Sequence, residues 1–189
     1  MYKRQFELFV VGLCFKVLLA DQLAPLWASL ERIGYEYLST PLAWLGAVSY
    51  SLQLYFDFSG YSLMAMGLGQ MLALPVPRNF DLPYTARSVS EFYRRWHITL
   101  GTWFRDYVYI PLGGSRNGNA RTVLSLTVVW FFTGLWHGAS WNFVLWGLYY
   151  FVLLMLDRLF WQKLLDKLPK AVSAILSHIT LPLAVLFGW

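Results

Sequence analysis

Long uncharged stretches dominate the hydrophobic pattern of this 189-residue chain. Tyr37–Phe56 and Phe58–Pro77 each contain 20 residues without a charge, and Thr122–Leu156 contains 35. A helix rises about 1.5 Å per residue, so about 20 residues cross a hydrocarbon core of about 30 Å. We therefore expect membrane-spanning helices, with the 35-residue stretch forming either two segments or one long tilted segment.

Local signals predict where other elements begin and end. Phe6–Ala20 is apolar but interrupted by Lys16, and no cleavage pattern of a signal peptide follows it. We interpret it as a short interfacial or partly buried helix, followed by a loop with Glu31, Arg32 and Glu36.

Proline and glycine positions delimit the later segments. Thr40-Pro41 has the form of a helix N-cap with proline in the first turn. The stretch 74–84 holds three prolines, and 111–121, PLGGSRNGNAR, holds three glycines, so both are predicted to be loops. A final apolar segment covers Ala171–Trp189.

Composition agrees with a lipid environment, because 58% of the residues are hydrophobic and only 13% are charged. We expect an all-α, polytopic membrane protein in which residues 1–189 form a single domain with short interfacial or re-entrant helices. The formal charge of +5 comes from basic residues at the edges of apolar runs, which favours lipid headgroups over nucleic acid. The basic group 158–170 suits a cytoplasmic loop.

The most polar stretch, RRWHITLGTWFRDY at 94–107, contains the first candidate for chemistry. As one helix capped by Ser88 or Ser90, it would place Arg95 and Asp106 in one polar wedge and His97 on the opposite, apolar face. Gly101 follows one turn later and would leave space beside the imidazole. A histidine hydrogen-bonded within a core remains the alternative.

A second histidine, His137, lies inside the 35-residue uncharged stretch. Ionisable groups at membrane depth are costly and usually face an internal cavity. In a continuous helix, Thr133 and Gly134 would share its face and leave a second gap, although Gly138 and Ser140 favour a local break.

Three chemistries use a pair of histidines. A metal site needs three or four ligands, and only His178 and Cys14 would be left to add to the pair. Haem bound by two histidines stays open. General-base catalysis also fits, because a neutral imidazole accepts a proton from a hydroxyl near neutral pH, and a buried imidazole resists protonation.

Several motifs resemble those of the membrane-bound O-acyltransferases, in particular the bacterial branch of alginate O-acetyltransferases and D-alanyl-lipoteichoic-acid transferases. The similarity extends from about Phe15 to Trp189. The motifs are SLQLYFDFSGYSLMAMG (51–67), SVSEFYRRWHITLGTWFRDYVYIPLGGSRNG (88–118) and GLWHGASWNFVLWG (134–147).

The resemblance implies that His137 is the catalytic histidine and His97 the second functional one, meeting in a tunnel across the membrane. We expect substrate-binding or supporting roles for six further residues: Arg94, Arg105, Asp57, Gly101, Trp136 and Asn142.

The resemblance also implies a multi-pass enzyme of the bacterial inner membrane without bound cofactor or metal. A cytoplasmic thioester, acetyl-CoA or an acyl carrier protein, would supply the acyl group. A hydroxyl of an extracytoplasmic polysaccharide such as alginate would accept it, directly or through an acyl-relay protein or a partner acetyltransferase.

Two departures from the family pattern stand out. Leu63 replaces a common aspartate, and Tyr93 replaces a common tryptophan. Family members are longer, so we expect an internal fragment without some N-terminal and C-terminal helices. A haem-binding electron-transfer protein and a non-catalytic structural subunit are the alternatives.

Overall fold

Helices form almost all regular structure in the computed structural model, which describes residues 3–189 except the side chain of Tyr35. The described chain divides into two units, residues 3–80 with Trp189 and Asp81–Gly188. No β-strand occurs among the described residues. The all-α prediction is confirmed, and the single domain over 1–189 stays a prediction.

The first unit begins with one continuous helical rod, Lys3–Ile33. It consists of α1 (Lys3–Cys14), the π-helical stretch Phe15–Ala20 and α2 (Asp21–Ile33). Its 31 residues correspond to about 46 Å of helix. The helix predicted over Phe6–Ala20 is therefore longer than expected, and Glu31 and Arg32 lie in α2 rather than in a loop.

Ion pairing explains how the charge of Lys16 is accommodated within this apolar rod. Its Nζ lies 2.9 Å from Asp21 Oδ1 and 2.7 Å from Asp57 Oδ1. Because both partners neutralise the ammonium group, the lysine is tolerated within an apolar helix.

The second long helix of this unit, α3 (Thr40–Met71), covers most of the two 20-residue stretches. Its N-cap is Ser39, one residue before the predicted position, and Pro41 lies in the first turn as expected. Glycines let α1 approach α3 closely, because a Cβ on Gly12 would lie 2.5 Å from the Gly60 carbonyl oxygen. Small residues at helix contacts are typical of membrane proteins.

The second unit contains six α-helices among its described residues. They are α4 (Val89–Arg95), α5 (Ile98–Phe104), α6 (Gly118–His137), α7 (Trp141–Leu156), α8 (Gln162–Leu165) and α9 (Lys170–Gly188). Two π-helical stretches, Arg105–Tyr109 and Asp157–Trp161, continue α5 and α7. The 35-residue uncharged stretch thus forms two segments that break at 138–140, where small residues predicted a break.

The long helices of this unit pack closely at glycines and are linked by hydrogen bonds. A Cβ on Gly147 of α7 would overlap the Trp130 carbonyl oxygen of α6, so these two helices pack backbone to backbone. The Tyr149 hydroxyl donates to the Ala184 carbonyl at 2.8 Å and ties α7 to α9. The predicted basic loop is wrong in part, because Arg158 and Lys163 belong to the helical continuation of α7.

Within residues 3–189, three helical stretches are long and apolar enough to cross a membrane: Lys3–Ile33, Trp141–Leu165 and Lys170–Gly188. Many of their large apolar side chains are exposed, for example Leu18, Leu145 and Ile175. Such surfaces suit a hydrocarbon environment, in which the helices satisfy their own backbone hydrogen bonds.

Candidate active site

The first wall of the site begins with a capped helix, α4. Ser88 Oγ accepts a hydrogen bond from the Glu91 N–H at 3.0 Å, and Glu91 Oε2 accepts one from the Arg87 N–H at 2.9 Å. This is the reciprocal pattern of a capping box, displaced by one residue. The Arg87 N–H, and then the charge of Arg95, lower the pKa of the Glu91 carboxyl. The predicted N-cap at Ser88 is confirmed.

The predicted single helix through 94–107 is wrong, because α4 ends at Arg95 and α5 begins at Ile98. Between them His97 adopts the left-handed conformation, with φ 46° and ψ 56°. The predicted polar wedge of Arg95 and Asp106 is also wrong, because the helix is interrupted between them. Arg95 donates hydrogen bonds to Glu91 and Thr85, and Asp106 pairs with Arg105.

Burial of Trp96 accounts for this break. Its indole stacks on Phe92 with 5.6 Å between ring centroids, and both side chains are buried. A left-handed non-glycine residue costs about 1–3 kcal/mol, which is comparable to the gain from burying one large side chain. Strained residues of this kind cluster at functional sites, and His97 is such a residue.

The second histidine, His137, is the last residue of α6. Its ring lies edge-on to Trp136 and Trp146, with centroid distances of 4.9 and 4.8 Å. The predicted gap at Gly134 is wrong, because a Cβ there would overlap the Phe143 carbonyl oxygen of α7. The glycine therefore serves helix packing instead of ligand access.

Both histidines border one cavity of about 450 Å³. Residues of α4, α5, α6 and α7 line it, including Tyr93, Gly101, Thr133, Trp130 and Trp146. A Cβ on Gly101 would meet only the Tyr93 carbonyl oxygen, at 3.7 Å, so this position is open, and Gly101 and His97 border the same cavity.

His97 is neutral near pH 7. Burial, and then the proximity of His137, lower its pKa from 6.5 to about 4. A neutral imidazole can accept a proton or donate a hydrogen bond, and both properties suit chemistry at a hydroxyl group.

The other predicted residues divide between the cavity and its surroundings. Arg94 and Arg105 border the cavity, and the Arg105 Nε lies 2.7 Å from Asp106 Oδ1. The Trp136 ring contacts the His97 ring, with 5.7 Å between the ring centroids, and it also contacts the ring of His137.

Asn142 and Asp57 take other places. Asn142 is exposed in the first turn of α7, where its N–H donates to Ser140 Oγ at 3.4 Å. Asp57 belongs to the first unit, where it pairs with Lys16.

Sequence reasoning missed three aromatic residues of the cavity wall, Trp130, Trp146 and the side chain of Tyr93. The spacing of Trp130, Thr133 and His137 was a usable signal, since positions i, i+3 and i+7 share one helix face. No comparable signal relates Tyr93 to α6 and α7, which are distant in sequence.

Within residues 3–189, no three His, Cys, Asp or Glu side chains group closely enough to hold a metal ion. The expectation of an enzyme without metal stays a prediction.

Comparisons with known proteins agree with the motifs. The probable alginate O-acetylase AlgI of Azotobacter vinelandii is 43% identical over 181 residues, covering 96% of this chain and 35% of that protein. The peptidoglycan O-acetyltransferase of Helicobacter pylori is 38% identical over 186 residues, 95% of this chain and 34% of that protein. The teichoic acid D-alanyltransferase of Bacillus subtilis is 32% identical over 129 residues, 64% of this chain and 33% of that protein.

The chain spans about a third of the length of these curated relatives. The model of the membrane-bound O-acyltransferase family matches residues 5–167, and this matched segment contains both histidines. Because this match covers most of the chain, the chain belongs to the membrane-bound O-acyltransferase family.

Proposed function

We propose that this chain forms the histidine-bearing part of an O-acyltransferase that moves an acetyl group from a cytoplasmic thioester to a hydroxyl of an extracytoplasmic polysaccharide such as alginate. One observation carries the proposal: His97, between α4 and α5, and His137, at the end of α6, are distant in sequence, yet both border one cavity of about 450 Å³.

In the proposed reaction, His137 accepts the proton of the acceptor hydroxyl while the hydroxyl oxygen attacks the carbonyl carbon of the thioester. The C–S bond then breaks, the thiolate leaves, and the imidazolium returns the proton to the sulfur. His97, held neutral by burial, orients the acceptor hydroxyl by a hydrogen bond.

The surroundings of the histidines suit an acyl-transfer site. Trp136 and Trp146 pack on the ring of His137, which is itself exposed. Arg94 adds positive charge at the cavity, which suits an anionic donor such as acetyl-CoA or the prosthetic group of an acyl carrier protein; the charge of Arg105 is offset by Asp106.

The choice of acetyl and polysaccharide follows the names of the relatives. Two relatives that cover at least 95% of this chain are named O-acetylase or O-acetyltransferase, and the D-alanyltransferase covers less of it. In this proposal, the protein lies in the bacterial inner membrane and acts with an extracytoplasmic acetyltransferase or an acyl-relay protein.

The test uses the whole protein in its native membrane. His137→Ala should lower polysaccharide acetylation by about 10²–10⁴-fold, the range for loss of a general base. His178→Ala provides the matched control, because His178 is exposed on α9 and bonds the Ala174 carbonyl of its own helix. Normal acetylation by correctly inserted His137→Ala protein would refute the proposal.

A further inference from the structure

A smaller cavity, of about 210 Å³, lies between the start of α4 and the helices α7 and α9. Among the described residues, none lines both this cavity and the cavity that the two histidines border. Its lining is mainly apolar and includes Val89, Leu153, Leu156, Trp161, Leu181 and Ala184. An apolar cavity of about 150 Å³ already admits benzene, so this one has room for a short length of hydrocarbon chain.

Asp157 and Thr180, two polar residues of the lining, are already paired within the protein. Asp157 accepts hydrogen bonds from the Val89 N–H at 3.2 Å and from Gln162 Nε2 at 2.8 Å. Thr180 Oγ1 donates to the Leu176 carbonyl of its own helix at 2.9 Å. Because these groups do not require a ligand atom, the interior of the cavity suits an apolar occupant.

Arg87 supplies a charged group at the edge of this cavity. Its side chain is exposed, and its backbone N–H donates to Glu91 Oε2 at 2.9 Å. No described residue forms a hydrogen bond or an ion pair with the Arg87 guanidinium. A guanidinium beside an apolar cavity is complementary to a ligand with an anionic head and a hydrocarbon tail.

The cavity lies towards the basic end of the spanning stretch Trp141–Leu165. Arg158 and Lys163 are both exposed in the last part of this stretch. Tryptophan and basic residues mark the boundary between the membrane and water. We therefore place Trp161 at the level of the lipid headgroups and Leu153, about two turns deeper, at the level of the lipid chains.

We propose that this cavity binds one acyl chain of an anionic membrane phospholipid and that Arg87 pairs with its phosphate group. Basic pockets between membrane helices recognise anionic headgroups. A zwitterionic lipid could place a chain in the same cavity, but it gains less from Arg87 because its ammonium group offsets the phosphate charge.

The bound chain braces the start of α4. Val89 belongs to this helix and lines the cavity, opposite residues of α7 and α9. An acyl chain between these helices adds apolar contacts where α4 begins, and α4 leads directly to His97. The site is separate from the proposed acyl transfer, so binding is measured without any acyl donor.

The test uses the whole protein in phosphatidylcholine vesicles with increasing fractions of a brominated phospholipid. Bromine on an acyl chain quenches a nearby indole, and the quenching that is lost in Trp161→Phe isolates the signal of Trp161. We expect this signal to fall along a saturating curve. Half-quenching should need an about fivefold lower fraction of brominated phosphatidylglycerol than of brominated phosphatidylcholine, the contribution of one basic residue near the membrane surface.

Two kinds of variant separate the contribution of the chain from that of the headgroup. Ala184→Phe and Thr180→Phe fill the cavity and should each abolish the saturating quenching of Trp161 by both lipids. Either of them suffices if the other does not fold. Arg87→Gln keeps the backbone N–H that binds Glu91 and should remove the preference for the anionic lipid.

Arg116→Gln is the matched control and should behave as wild type, since Arg116 is exposed in the loop before α6 and lines neither cavity. Equal half-quenching fractions of the two lipids in wild type, an unchanged preference in Arg87→Gln, or saturating quenching in a folded Ala184→Phe protein would overturn the proposal. So would an absence of Trp161 quenching in wild type, which would show that another part of the whole protein covers the cavity. None of these results bears on the proposed acyl transfer.

Discussion

The indole of Trp136 lies edge-on to the imidazole of His97, with 5.7 Å between the ring centroids and 73° between the ring planes. The same indole packs against its neighbour His137 at 4.9 Å. One aromatic side chain therefore holds the relative position of the two histidines.

Replacing Trp136 by alanine should disturb both rings. Aromatic contacts contribute about 0.5–1.5 kcal/mol each, so losing two should lower kcat/KM by about 10-fold or more. Trp136→Phe should retain part of the contact and lose less. Trp141→Ala is the control, because Trp141 is 78% exposed. Equal kcat/KM values for Trp136→Ala and the control would show that these contacts do not position the two histidines.

The left-handed backbone at His97 predicts an unusual stability pattern. Glycine adopts φ 46° without strain, so His97→Gly should unfold at the same or a higher temperature while losing acyl transfer. His97→Val should be less stable by about 1–3 kcal/mol, because a β-branched residue is strained there. Thermal unfolding of the purified protein measures both variants. A His97→Val protein as stable as the His97→Gly protein would contradict the inferred backbone strain at position 97.

The low pKa of His97 predicts how stability depends on pH. Well above pH 6.5 the imidazole is neutral in the folded and unfolded states and contributes no difference. As the pH falls from 6.5 towards 4, the unfolded state binds a proton that the folded state resists, so stability decreases. The Tm should therefore fall over this range, and His97→Asn should reduce the fall. The control His178→Asn should leave it unchanged.

Asp157 is expected to position α4 from a distance in sequence. Its buried carboxylate accepts hydrogen bonds from the Val89 N–H at 3.2 Å and from Gln162 Nε2 at 2.8 Å. Asp157→Ala leaves both donors without this acceptor and should cost about 2–3 kcal/mol of stability. Denaturation with a matched Asp166→Ala control measures this, since Asp166 is exposed in a turn. Equal stability of the two variants would remove Asp157 from this role.

The close approach of α1 and α3 predicts a steric limit in the first unit. A Cβ on Gly60 would lie 2.6 Å from the Gly12 carbonyl oxygen, so Gly60→Leu must push the helices apart. We expect a loss of about 1–3 kcal/mol or failure to insert. Val11→Leu, at an exposed position of α1, should behave as wild type in the same membrane-insertion and unfolding assays. A Gly60→Leu protein that inserts and unfolds as wild type would show that the helices tolerate separation.

Much of the helical framework was predictable, because apolar length and proline or glycine positions are local properties. The break at 138–140 and the helix N-cap at Ser88 agree with the predictions. The continuity of Lys3–Ile33 was not predictable, since the acid that helps to neutralise Lys16 lies on another helix.

The sequence by itself determined that the protein is helical, apolar and equipped with two histidines in recognisable motifs. Only the tertiary structure decided that the helix breaks at His97, that α7 covers Gly134, and that Tyr93 lines the cavity with both histidines. The physical reason is that periodicity describes one helix at a time. Burial of Trp96 and the packing of α6 on α7 depend on partners distant in sequence, and they outweigh the local preference to continue a helix.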